Sequence, residues 1–262
     1  MKIYKYKNLS EDLKISFEEQ LKRIYQIICF NKIWCSGPIP LNDKDEFKFK
    51  YDYTPTEATS ELLAQLMMQH KNYSRNKAQW AASYILTNNT LQDYADPIKD
   101  KYIIKTRKEL GLACFSIAKD NPSLWKRYGG CGNGLCIELE IPDNSQGIFN
   151  VNYVKEKAFH IDSFLESALL ESKAFKAYQN MLLTKSIYWE PEEEVRIVTK
   201  KQDVLMQIEG SVTEIMFGNK VDKKIEDEIQ STVNDHFSKQ NHRRQPGYSF
   251  SSIIFPSCLG VS

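Results

Sequence analysis

Ile3-Tyr4-Lys5-Tyr6 alternates at a period of two and predicts an opening strand. Phe17, Leu21, Ile24, Tyr25 and Ile28 then recur at helical spacing, with Ser10 or Ser16 placed to cap the helix. Lys32-Ile33-Trp34-Cys35-Ser36 predicts a second strand, stopped by Gly37-Pro38, and the loop Pro40-Leu41-Asn42-Asp43 runs on into acidic Asp45-Glu46. Residues 56–109 change character. Helix starts are expected at Thr56, Ser74 and Asp96-Pro97, with Leu62, Leu66, Ala78, Ala81 and Ile85 as apolar stripes, so this stretch is expected to be a helical insertion, a lid or packing.

After it come a strand at 112–116, a short helix from Asn121-Pro122 to Tyr128, and a strand at 135–139. Further strands are expected at 148–154, 194–199, 204–208, 212–217 and 250–255, and helices at 161–180 and 222–238. Ile225, Ile229, Val233 and Phe237 give the last helix one apolar face. Strands and helices do not alternate regularly. The expectation is a single α+β domain over residues 1–262, with a mixed or antiparallel sheet.

Composition narrows the class. With 42% apolar and 26% charged residues, disordered and collagen-like chains are excluded. Thirty-five basic against thirty-four acidic side chains leave a net charge of +1, which does not indicate a nucleic-acid partner. The late basic run His242-Arg243-Arg244 reads as a solvated turn. The six cysteines (29, 35, 114, 131, 136 and 258) include no Cys-x-x-Cys pair, and free thiols in a reducing compartment are expected. No signal peptide is seen and no apolar run reaches the ~20 residues of a membrane helix, so a cytoplasmic protein without membrane contact is expected.

Gly129-Gly130-Cys131-Gly132-Asn133-Gly134 runs from a helix into a strand. A phosphate loop runs the other way, so a structural turn is expected. On the helix before it, Trp125 and Tyr128 share a core face while Arg127 points elsewhere, within reach of a ligand. The sharpest pattern is Trp189-Glu190-Pro191-Glu192-Glu193-Glu194-Val195-Arg196-Ile197-Val198. Pro191 argues against a helix here, and in an extended strand Glu192, Glu194 and Arg196 would share one face. Two carboxylates so close repel unless a cation or a substrate hydroxyl separates them, and Arg196 can hold one by a bidentate bond. The plainer reading is a self-neutralising row on a solvated edge. A second acidic group, Asn42-Asp43-Lys44-Asp45-Glu46, is explained by turn chemistry, with divalent-metal binding as the alternative.

Several pieces fall in the order of a known family: Ile3-Tyr4-Lys5-Tyr6, Ile33-Trp34-Cys35-Ser36-Gly37-Pro38 leading to Asn42-Asp43 and Glu46, Cys114-Phe115-Ser116, Leu124-Trp125 with Tyr128-Gly129, Gly134 before Ile137-Glu138, Tyr153, Lys185 with Trp189, Glu192-x-Glu194-x-Arg196, and Ile215-x-Phe217-Gly218. Over residues 3 to 218 the chain resembles the bacterial domain-of-unknown-function family 2971. It departs at Lys44 and Asp45, where that family has proline and an aromatic residue. The layout is similar to that of ADP-ribosyltransferase-like domains. That likeness implies Lys5 in the first-strand basic role and Ser36 in the later hydroxyl role. It implies Glu194 as the key carboxylate, with Glu192 two residues before it. Tyr6 or Trp34 would stack on nicotinamide, and Lys5 and Arg196 would meet the pyrophosphate.

Three functions follow as expectations. The first is an NAD-consuming transferase or hydrolase of the kind found in bacterial toxins and phage-defence proteins, with NAD as substrate, a macromolecular acceptor and no metal. The second is a metal-dependent nuclease using Asp43, Asp45, Glu46 and Glu194. The third is a non-enzymatic binding module of a defence or regulatory system, whose partner protein would meet residues 56–109.

Overall fold

A computed structural model describes residues 1–10, 15–38, 48–143, 145, 147–239 and 248–253, the side chains of 171–174 apart. The acidic loop from Asn42 to Glu46, the run His242-Arg243-Arg244, Cys258 and the end of the strand expected at 250–255 lie outside the described residues.

The opening alternation forms strand β1 (Lys2–Asn8), which buries Ile3 against one face of the sheet and Tyr4 and Tyr6 against the other. Helix α1 (Phe17–Phe30) starts at Ser16, whose side chain accepts from the Glu19 amide at 3.2 Å, so of the two candidate caps Ser16 is the one used. The helix ends on Asn31 in the left-handed conformation (φ 51°). Strands β2 (Lys32–Cys35) and β3 (Lys50–Asp52) follow.

Three helices fill the expected insertion: α2 (Thr59–Lys71), α3 (Arg75–Thr87) and α4 (Leu91–Glu109). The last begins well before Asp96-Pro97, with Pro97 inside it. Proline removes one helical donor, and the Asp93 carbonyl four residues back belongs to an exposed residue, open to solvent. Leu63, Leu66 and Ala78 of these helices form a core of their own with Ile161, Phe164, Leu165 and Met181.

The chain then supplies β4 (Gly111–Ser116), α5 (Pro122–Arg127), β5 (Gly134–Glu140), β6 (Ile148–Asn150), β7 (Asn152–Val154) and β8 (Ala158–His160). The strand expected at 148–154 is two, because β6 pairs with the later Glu194 strand while β7 pairs with residues 184–186. Likewise the helix expected at 161–180 is two, α6 (Asp162–Leu169) and α7 (Glu171–Leu183), parted at Leu170 in extended backbone. The sequence carries no glycine or proline at that break. The remaining elements are β9 (Thr184–Ser186), β10 (Glu194–Thr199), β11 (Val204–Gln207), β12 (Ser211–Gly218), α8 (Lys223–Lys239) and β13 (Ser249–Ile253).

Seven strands form one mixed sheet in the order β13-β12-β5-β1-β4-β10-β6. Neighbours are antiparallel except β12 and β13, which are parallel and joined by α8. One face packs Ile3, Ile137 and Val195 on α1 and α8; the other packs Tyr4, Tyr6 and Cys136 on α5, and Leu112 and Val198 on α7. Ile24 and Ile27 are each 1% exposed, and burial of such a side chain contributes on the order of 2–3 kcal/mol, so α1 is held by this stripe rather than by propensity. The chain is therefore an α+β protein.

One irregularity positions everything that follows. The central strands β1 and β4 pair only at Tyr4 and Ser116, after which they diverge. The far end of β4 is instead bridged to Ser36, with the Leu112 amide donating to the Ser36 carbonyl at 2.8 Å. Between these two points the sheet is split.

Candidate active site

A cavity of ≈ 260 Å³ occupies the split and reaches both faces of the sheet. Lys5, Tyr6, Trp34, Ser36, Glu192, Glu194 and Arg196, the residues singled out from sequence, all line it. Their contacts within the protein differ from one to the next.

Glu194 and Arg196 share a face of β10, as the two-residue spacing requires. Glu192 does not lie on an extended strand. Residues Ile187–Glu192 form a 3-10 turn that contains Pro191, and Glu193 reverses the chain in left-handed backbone (φ 42°). Pro191 fits because its fixed φ suits a tight helical turn, and the Glu193 amide closes that turn on the Glu190 carbonyl at 2.9 Å.

Arg196 Nε donates to Glu194 Oε1 at 2.8 Å and Nη2 to Oε2 at 3.0 Å, while Nη1 donates to the Leu182 carbonyl. At 1% exposure this guanidinium holds Glu194 and is not placed to meet a pyrophosphate. Lys185 supplies the cation that two adjacent carboxylates need. Its Nζ lies 2.7 Å from Glu192 Oε2 and 3.0 Å from Glu194 Oε2. Arg127 Nη1 and the Tyr128 hydroxyl each donate to Glu192 Oε1 at 3.1 Å, so Arg127 reaches a carboxylate of this cluster. Trp189 stacks on two of the cations, with Arg127 4.4 Å and Lys185 4.5 Å from its ring.

Burial is the largest single influence on the Glu194 carboxyl and pushes its pKa up. The charge and hydrogen bonds of Arg196, with Lys185 and the Cys114 thiol, overturn that and bring it down to about 2. Glu194 is thus ionised at every physiological pH. It cannot donate a proton, but it can hold a growing positive charge. Burial raises the neighbouring Cys114 thiol, and the Glu194 charge raises it further, so Cys114 is a neutral donor rather than a nucleophile.

On the other face of the split the balance is reversed. Lys5 and Lys7 project from β1, Arg23 from α1, and Trp34 and Ser36 from the end of β2. Lys5 Nζ donates to the Cys114 carbonyl at 2.6 Å, spanning the gap between β1 and β4. Burial lowers the Lys5 pKa, with Cys114, Glu194 and Cys35 opposing it. Tyr6 is not free to stack on a ligand. Its hydroxyl bonds the Ala118 carbonyl at 3.1 Å and its ring meets Trp125 edge-on at 5.4 Å. Trp34 is half-buried and carries Arg23 over its ring at 5.4 Å, so it keeps the rim position.

Lys185, Lys7 and Arg23 were not assigned roles from sequence. The alternation of β1 puts Lys7 beside Lys5 and was a usable signal; Lys185 entered with Trp189 in the resemblance pattern, without a role, and the unbalanced acids it serves were the further signal. The glycine run behaves as a turn from α5 into β5, with Gly130 and Gly132 at φ 59° and 96°. Among the described residues no group of three or more histidines, cysteines or acids is arranged to hold a metal ion, and no helix is long and apolar enough to cross a membrane. Comparisons with protein-family models, curated proteins and solved structures give no match for this chain, so the family resemblance rests on the residues quoted for it.

Proposed function

We propose that the split takes NAD and that the protein breaks the nicotinamide–ribose bond, as an ADP-ribosyltransferase-like transferase or hydrolase. The observation that carries this reading is the placement of a carboxylate ionised at physiological pH, Glu194, on the wall of a cavity that opens between two diverging central strands. Nicotinamide departs with the electron pair of the C1–N bond, leaving an oxocarbenium-like sugar. Glu194 is fixed by Arg196 and Lys185 before the reaction begins, so no reorganisation is needed when that charge appears. Water, or a hydroxyl of an acceptor, then bonds to C1 and gives up its proton to solvent. The cavity, at ≈ 260 Å³, is below the ~300–1,000 Å³ usual for ligand pockets, so it takes only part of the dinucleotide.

The test is nicotinamide release from NAD by the purified chain and by Glu194→Gln, with and without acceptor extracts. Loss of the carboxylate should lower the rate by about a hundredfold or more. Equal release from both proteins would end the proposal.

One observation favours the binding-module reading. Both Glu194 oxygens already accept from protein donors, which is what a purely structural ion network requires. Under that reading no NAD turnover is seen, and Glu194→Gln lowers stability alone. The carboxylates expected to serve a nuclease, Asp43, Asp45 and Glu46, lie outside the described residues.

A further inference from the structure

We infer that the α1 side of the cavity is a phosphate subsite formed by Lys5, Lys7 and Arg23, so that a phosphorylated ligand threads the split with its anionic end on that side and its other end toward Glu194. That the phosphate belongs to a nucleotide rests on the reading above; that a phosphate binds here rests on the cations.

Three positive groups from two elements converge on this end, and the balance of charge decides the matter. Arg23 has a carboxylate, Glu19, at 3.0 Å. Lys5 has a carbonyl at 2.6 Å and the Phe115 ring at 5.3 Å, and the charge of Glu194 acts on it without an ion pair between them. The Lys7 ammonium makes no hydrogen bond or ion pair to any described residue, although its backbone pairs with β5. On the Glu194 side, by contrast, each carboxylate meets at least two cations or hydroxyls. The α1 side thus sets three cations against the Glu19 carboxylate, while on the Glu194 side three cations meet two carboxylates, so the larger excess lies on the α1 side.

An ordinary solvated lysine would explain Lys7 if it stood on open surface. It lines the cavity and is only half-exposed, so water screens it incompletely and Lys5 and Arg23 repel it. Such an arrangement destabilises the empty protein and is relieved by an anion, as expected of a ligand site rather than of packing. The Ser36 hydroxyl can donate to the same anion, and Trp34 offers a ring at the rim. The charge of Arg23 lies over that ring, so a base stacked there would sit beside the phosphate.

Titration calorimetry of the full chain with inorganic pyrophosphate, and separately with ADP-ribose, tests the site. Lys7→Met and Arg23→Gln should each weaken pyrophosphate binding by about tenfold or more. Lys22→Ala, which removes a solvated charge from the same helix, should change it by no more than about twofold. Tighter binding of ADP-ribose than of pyrophosphate, with the same loss in both variants, places a nucleotide's phosphates here. Equal loss for pyrophosphate with no gain for ADP-ribose leaves a phosphate site without a nucleotide. Absence of pyrophosphate binding to the wild type, or binding unchanged in both variants, overturns the inference. The NAD reading fails separately: pyrophosphate binding that depends on Lys7, together with no nicotinamide release, removes the reaction and keeps the subsite. Nicotinamide release with an unchanged KM in Lys7→Met does the reverse.

Discussion

Arg196 holds Glu194 through two parallel bonds, Nε to Oε1 at 2.8 Å and Nη2 to Oε2 at 3.0 Å, two residues apart on one buried face of β10. A bidentate pair of this kind is among the strongest polar contacts available to a protein, and its cost is the desolvation of both charges. Removing one partner is therefore worse than never having had the pair.

Glu194→Gln should lose about 3–5 kcal/mol of stability at pH 7, because Arg196 and Lys185 are left buried with too little opposing charge. The effect depends on pH. In the folded protein the carboxyl titrates at about 2, against 4.5 as its ordinary value. Its contribution is fully present above pH 4.5 and is lost as pH falls toward 2, so wild type and variant should converge in acid. Urea melts at pH 7, 4 and 3 check this, and a constant difference across the three would contradict it.

Lys185→Met should destabilise by a similar ~3–5 kcal/mol, since Glu192 and Glu194 then face each other without their shared cation. The double variant Lys185→Met with Glu192→Gln should recover part of that loss, because one of the two repelling charges is gone. A double-mutant cycle from denaturation midpoints measures the recovery, and strict additivity would mean that the bridge is not real.

Lys7→Met should stabilise the empty protein by about 1–2 kcal/mol at neutral pH. Burial, then the charges of Lys5 and Arg23, bring the Lys7 ammonium down to about 7 from 10.5. Below pH 7 the folded protein bears the full cost of that charge. Between pH 7 and 10.5 the unfolded chain keeps a proton that the folded one has released, so wild-type stability rises with pH relative to the variant. Melting temperatures of the pair across that window should approach one another as pH rises.

Gly218→Ala should cost about 1–3 kcal/mol although the side chain added is only a methyl. Its Cβ would run into the backbone of Gly132, in the turn that feeds β5, so the end of β12 and that turn would have to move apart. Thermal denaturation measures it, and Gly147→Ala makes an informative contrast: open space surrounds that glycine, and only its φ of 89° opposes the change.

Much of this was legible in the sequence, unevenly. The period-two row from Glu194 to Arg196 gave the face they share and the bidentate bond between them, because both follow from strand geometry alone. Glu192 was placed beside them for the wrong reason: a proline that argues against an α-helix does not exclude a 3-10 turn. The start of α4 was misplaced because Pro97 looked like a first-turn residue, while Leu91 and Ala95 were buried by contacts made elsewhere in the chain. Lys185 and Arg23 were hidden for a related reason. Lys185 reaches Glu192 and Glu194, and Arg23 reaches Trp34, by tertiary packing, which no local period announces.

The two bridges at the ends of the split, Tyr4 to Ser116 and Ser36 to Leu112, carry a mechanical consequence. The strands β13, β12, β5 and β1 form one slab and β4, β10 and β6 another, sewn directly at the Tyr4–Ser116 stitch, while the Ser36–Leu112 stitch ties the second slab to the end of β2. A small rotation of slab against slab would widen or pinch the opening without breaking a ladder inside either. The breathing of the opening is thus governed by the centre of the fold, where proteins are usually stiffest, and amide exchange at Cys114 should outpace that at Ile137, which is paired with strands on both sides.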